Sequence, residues 1–460
     1  MSIPNEFQKI IDSKIDDSEI LYVENKRKIE ENSKNKDDKD TMNNQNLSFP
    51  KKISSIELYN QYNSVYGIIT ISYIAKLISL EPEFSRMQNL KQLGPLHFKF
   101  RFADHNRYDH SFGTAHLSRY TASKLQEKHS EITDMQVLCV ELAGFCHDIG
   151  HGPFSHTFDH LLNNVNFTGI TSHHEARSQI LFKYIIQKMN KKYNKIILPD
   201  EYVKLVQYFI EPSIYRKHIY PKNNESDDHP ENLPYFYSGL EQIVSNSLHK
   251  VDVDKMDYLV RDGHLLRADQ FFDKPLDVEG LLERSDIIDK IWHFHIRDRN
   301  IIYDLICRRF LFYTNRYLHP EIHAISCMLI DALTCLDKIN NFTNFAKLEN
   351  ESDILKFCEL TDNYLIEIIL NSLDEKLKEA KKLITNIINK KDLYIHIGDY
   401  APNEYNIDTS LFIEIPWNIY TDESTPTNLL PNVRYHFNGK SIDHSQIPGV
   451  KRIYMKNVPK

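Results

Sequence analysis

The chain of 460 residues reads as a mainly α-helical protein. Glycine occurs only 13 times, too rarely for the many tight turns of an all-β fold. Hydrophobic residues make up 41% of the chain and charged residues 26%, enough to bury one large core or two ordinary ones. From about residue 68 to 340 most windows space their apolar side chains as helices do.

The elements follow in order. Residues 25–50 are charged, asparagine-rich and almost free of apolar side chains, so 1–52 is expected to be a disordered polar tail. Order is expected from about Ile53. Gly67 to Leu80 is the most apolar early stretch; it is too short to cross a bilayer and contains Lys76. Glu131 to Cys146 places Val137, Val140, Ala143 and Gly144 on one side, as a buried helix would. Gly150 and Gly152-Pro153 then stop it. Ala176 to Met189 is an amphipathic helix, Pro221 to Pro234 a polar loop, and Met328 to Leu336 a further helix. Tyr364 to Ile388 is expected as one helix, with Glu367, Lys376, Lys378 and Lys381 solvated. After Tyr394 proline, asparagine, tyrosine and threonine become common, and Val433 to Phe437 and Lys451 to Met455 look strand-like. The organisation expected is thus a helical core over 53–394 and a small α+β C-terminal lobe over 395–460.

Charge and cysteine usage narrow the class. A net charge of −8 disfavours a general nucleic-acid coat protein. The six cysteines form no Cys-x-x-Cys pair and several sit in apolar helical patterns, which points to free thiols in a reducing, intracellular compartment. The polar N-terminus has no secretory signal, so a soluble protein of the nucleus or cytoplasm is expected.

The densest chemistry lies in Cys146-His147-Asp148-Ile149-Gly150-His151-Gly152-Pro153-Phe154-Ser155-His156. Imidazole and carboxylate suit Fe, Mn, Zn and related divalent ions. His147 and Asp148 cannot complete a site alone; His110 and Asp254 are the candidates that would. Such a mixed N/O set, with room for water, suits metal-assisted hydrolysis of a phosphate ester or anhydride. The bland alternative is a polar network capping a helix end, but burying so many ionisable groups without a cation is expensive. On a regular helix Asp148 would turn away from His147, so both reach one ion only if the helix end points at it. His147 and His151 share a face if the helix persists that far.

Asp254, Tyr258 and Asp262 fall at i, i+4 and i+8, with Arg261 beside them. Spacing alone leaves open whether this row lines a pocket or forms a solvated salt-bridge face. Arg107, Lys255 and the Arg308-Arg309 pair could grip an anion, with at least one of the two arginines expected on a plain helix surface.

These residues resemble the H…HD…D signature of HD-domain phosphohydrolases. The match is closer still to the SAM-and-HD-domain deoxynucleoside triphosphate triphosphohydrolases, through Asn106-Arg107-Tyr108-Asp109-His110-Ser111-Phe112-Gly113, Ala143 to His156, and Asp252-Val253-Asp254-Lys255-Met256-Asp257-Tyr258. Lys91-Gln92-Leu93-Gly94 and Leu360-Thr361-Asp362-Asn363 extend it across roughly residues 65 to 395. The resemblance implies an all-helical HD core with a smaller C-terminal lobe, and hydrolysis of a dNTP to deoxynucleoside and inorganic triphosphate. It implies His110, His147, Asp148 and Asp254 as ligands of one divalent metal, which could be Fe, Mn, Zn or Mg. It implies that Arg107, Lys255, Tyr258 and Arg309 bind the triphosphate, and that His151 lines the α-phosphate. His156, supported by Asp159 and His174, is then the acid/base group. Gln92 and Asp262 would hold the 3′-hydroxyl, and Leu93 and Tyr317 would crowd out a 2′-hydroxyl. As partners it implies a dNTP, a homo-oligomer of two or more copies and weak single-stranded nucleic-acid binding, with no membrane.

Some stretches depart from that family. With a polar N-terminus no sterile alpha motif is expected, and with an early C-terminus family-like tetramers are not expected. The family's guanine-nucleotide stretch Asn-Asp-Pro-Ile-His-Gly is here Tyr62-Asn63-Ser64-Val65-Tyr66-Gly67, and its guanine contacts fall on Leu80 and Gln88. Activation by GTP is therefore expected to be altered or absent. Two rivals remain: another HD-type phosphohydrolase (5′-nucleotidase or cyclic-nucleotide phosphodiesterase), and a non-catalytic nucleotide or single-stranded nucleic-acid binder.

Overall fold

The computed structural model describes residues 57–219, 236–266 and 276–400, with strands at 412–416, 436–437, 440–441 and 451–455. The expected disordered tail before residue 53 and the polar loop from Pro221 to Pro234 lie outside the described residues.

An antiparallel hairpin opens the described chain, β1 (Leu58–Asn63) against β2 (Gly67–Ser72), with Tyr62 opposite Ile68. This corrects the expectation of helix from residue 68. Gly67-Ile-Ile-Thr-Ile-Ser is rich in β-branched residues, which fit a pleated surface better than a helix.

Helices then dominate: α1 (Arg107–Lys128), α2 (Asp134–Cys146), α3 (His156–Asn164), α4 (His174–Tyr193), α5 (Asp200–Ile210) and α6 (Val253–Leu265). Helix α2 starts two to three residues later than expected, because Thr133 and Gln136 form a reciprocal capping box. It packs along α1, and the contact is filled by Phe112 and Phe145, 5.0 Å apart edge to face, with Phe84 stacked on Phe145 at 4.2 Å. A second short hairpin, β3 (Asp286–Ile288) and β4 (Ile291–His293), interrupts the expected helical run. Its turn residues Asp289 and Lys290 both have positive φ, the backbone of a tight two-residue turn.

Helices α7 (Arg299–Phe312), α8 (Pro320–Asn340), α9 (Asp362–Asn371) and α10 (Lys378–Asn389) complete the core. The single helix expected over Tyr364 to Ile388 is instead α9 and α10. The chain turns extended at Ser372 and leaves Leu373 almost fully exposed, which frees α10 to lay Ala380, Leu383, Ile384 and Ile387 inward. Beyond the core, β5 (Ile395–Tyr400), β6 (Phe412–Pro416) and β9 (Lys451–Met455) form an antiparallel sheet in the order β5-β9-β6, and β7 (His436–Phe437) pairs with β8 (Lys440–Ser441). Among the described residues no helix is long and apolar enough to cross a membrane, and all six cysteines are free.

Candidate metal centre and active site

Helix α2 ends at Cys146, and His147 is its C-cap. The helix axis therefore points its end at one place, and His147 and Asp148 both reach it. The ring Nε2 of His147 lies 3.2 Å from Nε2 of His110 on α1 and 3.4 Å from Oδ1 of Asp254 on α6. His110 Nε2 is 3.1 Å from the same carboxylate oxygen. Asp148 brings Oδ1 within 3.3 Å of His147 and Oδ2 within 3.6 Å of His110. Neighbouring ligands on an ion with bonds of about 2.1 Å stand about 3 Å apart in octahedral geometry. The four donors are spaced accordingly.

Their tautomers are set from behind. His147 Nδ1 donates to the carbonyl of Gly144 at 2.8 Å, and His110 Nδ1 to Asp257 Oδ2 at 2.6 Å, so both Nε2 lone pairs face the centre. Burial opposes a charge on His110, yet Asp254 and Asp257 hold its pKa up at about 10. Burial likewise opposes a His147 cation, and Asp148 and Asp254 outweigh it. So much negative charge around two buried imidazoles can equally be met by a divalent cation in place of the protons. The donor set fits one.

Arg107 is buried and ties this centre to the loops around it. Its guanidinium pairs with Asp148, donates to Ser155 Oγ at 2.8 Å and to the carbonyl of Gln92 at 3.3 Å. His151 does not share a helical face with His147, because α2 has already ended; it reaches Asp148 Oδ1 from the following turn at 3.3 Å. Burial and the Arg107 cation hold its pKa well below the usual histidine value. It stacks on His174 at 3.7 Å and meets His156 edge-on at 5.0 Å.

His156 opens α3, with its side chain mostly exposed. Its Nδ1 stands 3.9 Å from Asp159 Oδ2, which His174 Nδ1 approaches to 3.3 Å. Arg177 pairs with the other oxygen at 2.5 Å. Burial works against the Asp159 anion, but Arg177 and the histidines hold its pKa well below the carboxylate range. The group is a chain of proton-carrying rings anchored on one fixed anion, and His151, His156, Asp159 and His174 could also gather round a cation.

The row Asp254, Tyr258, Asp262 lines the same cavity, of about 680 Å³, as Gln92, Leu93, Arg107, His151, His156, His174, Lys255 and Tyr317. Arg261 does not belong to that row. It turns inward and grips Asp257 through both oxygens at 2.9 Å. Asp262 is fully buried, receives the Tyr317 hydroxyl and faces His105 Nε2 at 2.8 Å. The Gln92 side-chain oxygen is buried beside them without a hydrogen-bond partner. Lys255 is held by Asp252 at 2.7 Å. Arg308 and Arg309 are both buried, which corrects the expectation that one is a plain surface residue. Arg308 pairs with Asp304, and Arg309 lies 5.5 Å over the ring of Tyr313, with Lys255 and Tyr258 as electrostatic neighbours.

Sequence reasoning missed His105 and Arg177, and gave no role to Ser155, Asp252, Asp257 and Asp362, which stand inside the motifs it singled out. His105 lies two residues from Arg107, and Asp257 shares a motif with Asp254, but neither looks different from a surface charge in sequence. Asp362 reads as an ordinary acid in the first turn of α9.

An HD-domain family model matches residues 107–262, which contain all four candidate ligands. The deoxynucleoside triphosphate triphosphohydrolase SAMHD1 of Mus musculus is 30% identical over 385 residues, 79% of this chain and 57% of its own length. The SAMHD1 homolog of Dictyostelium discoideum is 32% identical over 330 residues, 71% of this chain and 57% of its own. A putative HD domain-containing protein of Acanthamoeba polyphaga mimivirus is 28% identical over 426 residues, 84% of this chain and 83% of its own. The chain thus spans less than two thirds of the length of the first two relatives. The chain carries an HD domain at residues 107–262, which spans the candidate ligand cluster, and its likeness to these relatives runs through most of its length.

Proposed function

We propose that the chain is a metal-dependent dNTP triphosphohydrolase that releases deoxynucleoside and inorganic triphosphate. One observation carries the reading: a single cavity is lined by His147, Asp148 and Asp254, by His151, His156 and His174, and by the buried polar corner of Gln92, Asp262 and Tyr317. The names of the mouse and Dictyostelium relatives support it.

His110, His147, Asp148 and Asp254 would hold the cation; when bound, such an ion polarises a phosphate and makes the attacking water more acidic. The residues supply the rest. Lys255, Arg107, Tyr258 and Arg309 meet the triphosphate charge, and His151, kept neutral, lines the α-phosphate. Water adds to the α-phosphorus, the bond to the 5′-oxygen breaks, and His156 gives that oxygen a proton. Asp159 and His174 hold and replenish the proton. Asp262 accepts the one proton of the 3′-hydroxyl, and Gln92 holds the same group from its other side. Leu93 and the Tyr317 ring stand where a 2′-hydroxyl would need space.

The test is incubation of purified protein with each dNTP in a series of Fe, Mn, Mg and Zn, with both products separated by chromatography. Inorganic triphosphate is expected. Orthophosphate or a linear monophosphate would overturn the reading in favour of another HD-type hydrolase. Nucleotide binding that survives His147→Ala without any parental turnover would favour a plain binder.

The free cysteines support a reducing compartment, nucleus or cytoplasm. Exposed Leu58, Tyr62 and Ile68 on the first hairpin support association of two or more copies, which light scattering would detect. The net charge allows only weak single-stranded nucleic-acid binding. Leu80 and Gln88 are exposed but carry no charge for a guanine, so GTP should not raise turnover many-fold. A large rise abolished by mutation at Leu80 or Gln88 would refute this.

A further inference from the structure

Two loops frame the cavity. One runs Lys91-Gln92-Leu93-Gly94 and carries the sugar-facing residues. The other, Gly152 to Ser155, delivers His156. Its last two residues are under strain: Phe154 has φ 59° and Ser155 has φ 57°, consecutive left-handed conformations in residues with side chains. Such backbone persists only where its surroundings over-determine it.

The surroundings are unusual. Asp362, 3% exposed, sits in the first turn of α9, far away in sequence. One of its carboxylate oxygens accepts from the backbone N–H of Phe154 at 2.7 Å, the other from that of Lys91 at 3.0 Å. The loops meet directly as well: Ser155 Oγ donates to the carbonyl of Lys91 at 2.6 Å. Gly94, at φ +50°, passes so close to Phe154 that a Cβ there would lie 2.5 Å from its carbonyl oxygen. A buried carboxylate facing two backbone donors on two loops has no role in helix α9 that an ordinary first-turn acid could not fill.

We propose that Asp362 is a positioning residue for catalysis: its carboxylate clamps the strained Phe154-Ser155 turn to the Lys91-Gly94 loop, and so fixes His156 against the sugar-binding corner. It touches neither substrate nor cation. The inference rests on the function proposed above, because it assigns what the two loops hold. Asp362→Asn keeps the shape but turns one acceptor into a donor that faces a backbone N–H, which opens the clamp on one side. A displacement of catalytic groups by an ångström can cost about a hundredfold in rate.

The experiment is the Asp362→Asn protein at pH 7.5, with the parent run alongside. For a dNTP, kcat should fall at least about tenfold and KM should rise, because both loops loosen. Inhibition by inorganic tripolyphosphate should weaken far less than kcat falls, because of the phosphate-binding groups only Arg107 is tied to the two loops, whereas Lys255, Tyr258 and Arg309 lie on α6 and α7. A fall in kcat alone, as a partly unfolded sample would give, overturns the proposal, as does a parallel loss of tripolyphosphate binding. A crystal structure of the variant decides independently of any turnover: Phe154 and Ser155 should leave their left-handed conformations, and a turn unchanged from the parent sinks the idea. Parental failure to release triphosphate would count against the proposed function and leave that structural criterion standing.

Discussion

His110 donates to Asp257 at 2.6 Å, and Arg261 holds both oxygens of that same carboxylate at 2.9 Å. The ring that faces the cation site is thus aimed by a residue three positions from a ligand and a guanidinium one turn further along α6. Asp257→Asn should keep the fold and lower metal affinity about 10- to 100-fold. Metal retained after dialysis against a graded chelator series measures this. Retention equal to the parent's would show that His110 needs no such support.

Gly113 is pressed against that arrangement. A Cβ there would lie 1.9 Å from an Asp257 carboxylate oxygen and 2.4 Å from the Arg261 guanidinium, both buried and immobile. Gly113→Ala should cost about 2–3 kcal/mol in a urea melt, by overpacking, and lower the metal content. An alanine variant as stable as the parent would mean that the Asp257-Arg261 pair can move.

Asp362 gives a pH signature. Burial raises its carboxyl to about 6, against the two backbone donors that favour its anion. An unfolded aspartate titrates near about 3.9. Because the folded value is the higher one, its proton stabilises the fold fully below about pH 4, and this contribution is lost as pH rises through about 6. Asp362→Asn cannot titrate. Its unfolding free energy relative to the parent, read from urea melts, should therefore improve from pH 4 to 7 by up to about 3 kcal/mol. A pH-independent difference would place the folded pKa near the unfolded one.

Tyr317 combines a hydroxyl bound to Asp262 with a ring in the cavity wall. Tyr317→Ala should raise turnover of ribonucleotides relative to deoxynucleotides about tenfold. Tyr317→Phe should keep the discrimination and raise KM for a dNTP, since only the support of Asp262 is lost. Competition between dATP and ATP in one reaction reads both. Equal selectivity in all three proteins would remove Tyr317 from sugar recognition.

That His110, His147, Asp148 and Asp254 would meet was legible because residue type carries it: imidazole and carboxylate clustered inside a helical core have few uses apart from one another or a cation. That 254, 258 and 262 share a face was legible from the helical period; that this face lines a cavity was not. Arg261 was not, because period alone cannot tell a cation facing a cavity from one turned back to its own helix. Asp257 and Asp362 stand inside motifs that carry the resemblance, but their partners, like those of His105, are remote in sequence, so no local pattern shows what they hold. The hairpin β3–β4 turns on Asp289-Lys290, a pair without the asparagine or glycine that usually announces positive φ. The break after Asn371 is decided by packing of α10 onto α8, a tertiary effect that outweighs the helical preference of the stretch.

The clamp on α9 also bears on the order in which the protein is made. Synthesis from the N-terminus completes the cation ligands once α6 emerges, whereas the residue that ties the two loops follows roughly a hundred positions later. During that interval a nascent chain can capture an ion before it owns a shaped cleft. Early metal loading, ahead of any capacity for turnover, is the assembly sequence that this separation favours.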